Sequence, residues 1–162
     1  MQFTELINET NPTLELKVKD FGTIEIQLFP SVAPKTVENF LSLINNNFFE
    51  NLTFHRIIKN FMIQGGWGKP IDPIKGEFTQ NGFLNPLLHS RGVLSMARTS
   101  NPNSASSQFF IMHKDAPHLD GQYAAFGAVT KGIEIVDLIA STPTGFQDKP
   151  IDDVVIESFK LI

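Results

Sequence analysis

Between Phe54 and Gly66 the chain reads Phe-His-Arg-Ile-Ile-Lys-Asn-Phe-Met-Ile-Gln-Gly-Gly. A guanidinium, Arg56, stands near the start of this stretch and an amide, Gln64, near its end. Apolar runs flank Lys59-Asn60, and a pair of glycines closes the segment, which reads as two short strands joined by a tight turn. An arginine set among Phe54, Phe61, Met62 and Ile63 is expensive to strip of water unless it has partners or a task. One strong donor, some amides and many apolar side chains suit the binding of an uncharged peptide, with the donor aimed at a carbonyl or amide. They do not suit hydrolysis.

Other chemistries are poorly supported. The four histidines, His55, His89, His113 and His118, show no helical zinc spacing. His89 and His113 read as ordinary polar residues, and His55 as a structural hydrogen-bonding group. The serines between Ser100 and Ser107 lie in no nucleophile elbow. Gly65-Gly66-Trp67-Gly68 lacks the Lys-Ser/Thr pair that completes a phosphate cradle, and Trp67 has no evident role. The sequence has no cysteine, which removes disulfides and thiolate metal sites. Net charge is -4, from 13 Lys+Arg against 17 Asp+Glu without a cationic block, which argues against nucleic acid as a partner. No apolar run is long enough to span a bilayer, and Met1 to Pro12 lacks the form of a secretion signal, so the expectation is a cytoplasmic protein.

The elements that must position Arg56 follow from periodicity. Leu14, Leu16 and Val18 alternate with polar residues, as do Ile24, Ile26 and Leu28 beyond the Asp20-Phe21-Gly22 turn. Together they predict an antiparallel hairpin. From Pro34 the period lengthens: Val37, Phe40, Leu41 and Ile44 form one apolar helical face, with Asn45-Asn46-Asn47 at its end. Further strands are expected at Gly92–Ala97, Gln108–Met112, Ala124–Val129 and Val154–Phe159. A second helix carries Ile133, Val136 and Ala140. Trp67 to Pro86 reads as a long surface loop, Arg98 to Ser107 as a polar loop, and Met1 to Pro12 as a loosely tied lead-in. Fifteen phenylalanines suit a thick core and an apolar binding face alike. About eight strands with only two helices disfavour a doubly wound sheet and predict a closed antiparallel barrel with a helix over each end.

Several blocks then resemble one family, the cyclophilin-type peptidyl-prolyl cis–trans isomerases. Phe54-His55-Arg56-Ile57-Ile58, Phe61-Met62 and Gln64-Gly65-Gly66 match its signature. Leu94-Ser95-Met96-Ala97, Ser107-Gln108-Phe109-Phe110-Ile111, His118-Leu119-Asp120-Gly121 and Phe126-Gly127 follow in the same order and spacing. The resemblance covers residues 14–162 as one mainly β domain, an eight-stranded barrel capped by two helices, with residues 1–13 as an N-terminal extension. The general look is that of a bacterial single-domain member.

The resemblance implies a catalytic Arg56, and a proline pocket of Phe61, Met62, Phe110 and Leu119. It implies peptide contacts from Gln64 and Gln108, and alignment of the peptide by the backbone of Ala97 and Arg98. His118 and Tyr123 complete the binding face. No cofactor or metal is implied, and the expected partners are proline-containing peptides and unfolded or flexible protein segments, met by a monomer. Non-catalytic peptide binding is the alternative. His118 stands where many members carry tryptophan, which implies weak cyclosporin binding. Tyr123 replaces a frequent histidine, Arg98 a frequent asparagine, and Lys59-Asn60 a Pro-Gly turn. Lys69 to Lys75 lacks a glycine-rich run, which bears on loop shape and on preference for the residue before proline. On spacing alone, Phe61, Met62, Phe110 and Leu119 would more often be plain core residues.

Overall fold

The alternation at the start of the chain forms the hairpin it predicts. In the computed structural model, which describes all 162 residues, β1 (Thr13–Val18) and β2 (Gly22–Leu28) pair with Leu14 opposite Ile26 and Leu16 opposite Ile24. All four of those side chains are fully buried. The remaining elements are α1 (Pro34–Asn45), β3 (Arg56–Ile58), β4 (Met62–Gly65), β5 (Val93–Met96), β6 (Phe109–Met112), β7 (Ala125–Lys131), α2 (Ile133–Ala140) and β8 (Ile156–Leu161). The eight strands form one curled sheet in the order β3-β4-β6-β5-β7-β2-β1-β8. Every pairing is antiparallel.

The expected closed barrel overstates this arrangement. β3 and β8 lie at opposite ends of the strand order, and no ladder joins them. Residues outside both strands make an irregular seam instead. Thr53 bridges to Val155, the Phe54 N–H donates to the Val154 carbonyl at 2.9 Å, and the Ile156 N–H donates to the Leu52 carbonyl at 2.8 Å. Val154 and Val155 are used in that seam, so the last strand begins two residues later than its apolar run suggests.

α1 packs against β8, with Val37, Phe40 and Ile44 buried, and α2 packs on β2 and the β3–β4 hairpin. Phe40 is the hub of the interior. Its ring lies 5.0 Å from Phe49, 5.3 Å from Phe109, 5.0 Å from Phe126 and 5.7 Å from Phe159, tilted or edge-on in each case. Such geometries suit the ring quadrupole.

One expectation about loops needs correction, and the long surface loop gains anchors. Met1 to Pro12 is not loose. The terminal ammonium donates to the Pro86 carbonyl at 2.8 Å, the Leu88 N–H donates to the Met1 carbonyl at 3.0 Å, and Phe3 and Leu6 pack on the core. A three-residue 3-10 turn, Phe3–Glu5, sets these two apolar residues three apart, too brief a pattern to stand out in sequence. The passage from Trp67 to Pro86 is anchored as well, because Glu77, Phe78 and Asn85 are buried. Glu77 Oε1 accepts from both the N–H and the hydroxyl of Thr36, at 2.7 and 2.8 Å, in the first turn of α1. A carboxylate there satisfies donors that the helix cannot and sits at the positive end of its dipole. Glu77→Ala is expected to cost about 2 kcal/mol by leaving those donors buried without a partner. Urea unfolding would show it as a lowered midpoint at unchanged slope. An unshifted midpoint would deny the cap.

Candidate active site

Strand register brings the two polar residues of the Phe54–Gly66 stretch together. β3 and β4 pair with Arg56 opposite Gln64, joined through a turn in which Asn60 takes φ +66°, a conformation asparagine accepts more readily than most residues. β4 ends at a glycine pair for a steric reason. Gly66 has φ +88°, and a Cβ there would lie 2.5 Å from the Ser107 carbonyl oxygen. Beyond β4 lies β6, with Gln64 opposite Phe110, and β5 follows, with Ser95 opposite Phe110. Three neighbouring strands thus place Arg56, Gln64 and Phe110 on one face.

On that face is a hollow of about 130 Å³ lined by Arg56, Phe61, Met62, Gln64, Ala97, Arg98, Phe110, Leu119 and Tyr123. Sites for drug-sized ligands run to roughly 300–1,000 Å³, so this one has room for a single side chain or ring. Met62, Phe110 and Leu119 form its buried apolar wall, and Phe61 is half-buried at its edge. The Phe110 and Tyr123 rings meet edge-to-face at 5.8 Å.

Arg56 differs from the sequence expectation. It is exposed at the mouth of the hollow rather than desolvated among apolar residues, and it forms no ion pair. Its one side-chain partner is Gln64 Oε1, at a long 3.5 Å. Gln64 is itself steadied by Gln108, whose Oε1 accepts from Gln64 Nε2 at 3.0 Å. The guanidinium therefore keeps most of its donors available to a ligand. Backbone groups are free as well. The Ala97 carbonyl and the Arg98 N–H have no partner within the protein, whereas the Ala97 N–H donates to the Gln108 carbonyl at 3.0 Å.

Two of the sequence-selected residues lie outside the hollow. Gln108 lines an adjoining polar groove of about 220 Å³ together with Gln64, Ala97, Arg98, Thr99, Ser104 and Ser106. His118 is exposed and stacks on Phe61, with ring centroids 5.6 Å apart. The Arg98 side chain turns from the hollow's centre and donates to the Gln122 carbonyl from Nε and Nη2, at 3.1 and 2.7 Å. Its guanidinium lies over the rings of both Phe78 and Tyr123, 4.8 and 4.6 Å from their centroids. This pair of cation–π contacts fixes the Tyr123 wall.

His89 and His113 are not the ordinary polar residues the sequence suggests. Both are buried, and each supports the hollow from behind. His89 bridges Ser95 Oγ, 2.8 Å from Nε2, and Asp120 Oδ1, 3.1 Å from Nδ1, while its ring stacks on Phe110. Ser, His and Asp are thus aligned in the manner of a hydrolase triad, but Ser95 is fully buried and no substrate can reach it. His113 Nδ1 accepts from the Asn60 N–H at 2.9 Å, and Nε2 lies 3.0 Å from Asp137 Oδ1. Because Nδ1 accepts from Asn60, the ring is neutral with its proton on Nε2, donated to Asp137. Asp137 is in turn gripped by both Nη atoms of Arg91, at 2.6 and 2.8 Å, which with His113 holds its carboxyl below the usual range. Through Asn60, His113 fixes the turn that carries Phe61. No local pattern announces either role, because the partners are distant in sequence.

Burial pushes the imidazoles of His89 and His113 below the ordinary 6.5, with their carboxylate partners opposing the shift in part. Burial also lowers His55, whose Nδ1 is enclosed without a hydrogen-bond partner; Gln108 and the Thr53 backbone offset that only in part. As pH falls, the unfolded chain takes up these protons first, near 6.5, and the folded state follows at lower pH. Over that interval the unfolded state binds more protons, so stability is full above about pH 6.5 and declines below it. Urea midpoints are expected to be level from pH 7 to 8 and to fall progressively toward pH 5. A level profile down to pH 5 would contradict the assignment.

Comparison with known proteins agrees with this geometry. The family model described as cyclophilin type peptidyl-prolyl cis-trans isomerase/CLD matches residues 13–161. A peptidyl-prolyl cis-trans isomerase of Acinetobacter baylyi is 45% identical over 146 residues, covering 83% of this chain and 74% of that protein. The isomerase cyp18 of Streptomyces antibioticus is 40% identical over 164 residues, covering 93% of this chain and 98% of its own. Among solved structures, a Cryptosporidium parvum cyclophilin type isomerase superposes with a TM-score of 0.84 at 31% identity, covering 94% of this chain and 98% of that one. The same parasite protein in the presence of the dipeptide Ala-Pro gives a TM-score of 0.83 at 32% identity. With this sheet, this hollow and these relatives, the chain belongs to the cyclophilin family and is a peptidyl-prolyl cis–trans isomerase.

Proposed function

We propose that the hollow seats the proline ring of an X-Pro segment and that Arg56 stabilises the amide as it twists. The X-Pro bond rotates over a barrier of about 18–20 kcal/mol, on a timescale of tens of seconds or longer unaided. Amide resonance sets that barrier. When the bond is twisted, the proline nitrogen regains a lone pair and becomes an acceptor. A charge-assisted N–H aimed there is worth more in the twisted state than in either planar state, which is the condition for catalysis. The observation that carries this reading is the exposed, unpaired guanidinium of Arg56 at the mouth of an apolar hollow. A merely structural arginine would be paired.

Arg56 does not act alone. A rate gain of ~10⁵ needs about 7 kcal/mol of selective binding, more than one hydrogen bond supplies. The free Ala97 carbonyl and Arg98 N–H hold the peptide on one side of the bond, Gln64 and Gln108 hold it beside Arg56, and the apolar wall keeps the ring still while the acyl side turns. Titration of ¹⁵N-labelled protein with an Ala-Pro-Phe peptide tests the placement. Arg98 and Gln64 amide signals are expected to shift most. Shifts centred elsewhere, on α1 for example, would move the site.

The clients are unfolded or flexible segments containing proline, met by a monomer in the cytoplasm, so that the activity assists folding. No helix is long and apolar enough to cross a membrane. His118 stacks on Phe61 where tryptophan would offer an indole donor. Cyclosporin is therefore expected to bind about tenfold more weakly than to tryptophan-bearing members. Equal affinity by calorimetry would refute this.

A further inference from the structure

Arg56 faces two spaces. Besides the hollow, it lines a larger groove of about 1040 Å³ that shares no other residue with it. The polar groove of Gln108 meets the hollow through Gln64, Ala97 and Arg98 instead. A polypeptide with its proline seated thus has two ways out, one over polar groups and one past Arg56. Along the second way three apolar side chains, Trp67, Phe146 and Ile151, stand out from a mainly polar lining, exposed by 69%, 87% and 69%. Single exposed apolar side chains are ordinary, and three gathered along one groove give a bound side chain apolar surface to pack on. Their support is unusual too. Gln147 and Asp148 both carry positive φ, +57° and +60°, a conformation costly for residues with side chains, directly after Phe146.

We propose that this groove is a second substrate subsite, taking an aromatic or large aliphatic residue about one to three positions from the proline, within reach of an extended chain. The proposal rests on the reading of the hollow as the proline site. Continuity through Arg56 identifies the occupant as the same polypeptide. The groove's charges are of both signs, Lys149 and Asp153 among them, which favours a neutral peptide arm over an anionic or cationic ligand. It makes Trp67 and Phe146 residues that set specificity, selecting prolines that lie near apolar side chains.

The test uses a set of alanine-based peptides, each with one proline and a single phenylalanine moved from three residues before it to three after. One position is expected to raise kcat/KM about tenfold over the all-alanine peptide. In Phe146→Ala, whose side chain supports nothing in the core, that ratio should fall to about one. Trp67 is the only tryptophan, so its emission reports occupancy directly. It should change saturably with the preferred peptide and stay flat with the all-alanine one. No positional preference together with flat emission overturns the subsite. If no peptide is isomerised at all, the reading of the hollow fails; emission that still changes saturably with a phenylalanine peptide and not with the all-alanine one supports the groove, and emission flat with every peptide overturns it. Emission that depends on protein concentration without peptide, with a dimer in sedimentation, would assign the groove to a second copy and overturn the proposal.

Discussion

Arg56→Ala is expected to lower kcat/KM by about 10²–10³ while leaving the fold intact. The magnitude follows from what one preorganised donor contributes where charge or a lone pair develops in a transition state. The sparing of the fold follows from the exposed position of Arg56, its lack of an ion pair and its single long bond to Gln64. Surface changes of this kind move stability by no more than about 0.5 kcal/mol. Most of the loss should fall on kcat, because the proposed bond to the proline nitrogen exists only in the twisted state. Arg56→Lys should recover part of the rate, since lysine keeps the charge but loses the planar fork. Peptide affinity, which the proposal assigns to the apolar wall and the backbone of Ala97 and Arg98, should change little. A protease-coupled assay gives kcat and KM, and far-UV circular dichroism checks the fold. A loss confined to KM would make Arg56 a binding residue only.

The second large effect is on stability. Phe40→Ala is expected to cost about 4 kcal/mol, within the usual 3–5 kcal/mol for a phenylalanine removed from a tight core. Phe40 is fully buried, and four aromatic rings lie within 5.7 Å of its centroid. Those neighbours come from β6, β7, β8 and the segment after α1, elements that cannot close together over the gap without moving the sheet. A domain of this size has only about 5–15 kcal/mol in hand, and a shift of about 10 °C in Tm is expected. Calorimetry on Phe40→Ala, with Phe40→Leu as the milder control, measures it. A loss under about 1 kcal/mol would mean that the phenylalanine cluster repacks freely.

What the sequence made legible was local. Alternation at residues 14–28 and a helical period from Pro34 depend on neighbours a few positions apart, and both elements appear as read. The pairing of Arg56 with Gln64 follows from two short strands around one turn. What escaped depends on distant partners. Thr36 and Glu77 are 41 residues apart and His113 and Asn60 are 53 apart, so neither the helix cap nor the turn support leaves a mark in any window of sequence. The seam between Leu52–Phe54 and Val154–Ile156 escaped for the same reason, and apolar Val154-Val155 looked like strand because seam and strand bury side chains alike. The proposed site residues were singled out through a resemblance to a family. On residue type alone, Met62, Phe110 and Leu119 are indistinguishable from core, and structurally they are the edge of it.

One measurement bears most directly on the claim that this hollow, with an unpaired arginine at its mouth, turns X-Pro bonds. It is the cis-to-trans rate of an Ala-Pro-Phe peptide with native protein, set beside Arg56→Ala and a direct measurement of peptide affinity for both. The mechanism predicts strong acceleration by the native chain, its collapse in the variant, and nearly equal affinities. Peptide binding by a folded native chain without acceleration, or a variant as fast as the native protein, would contradict it.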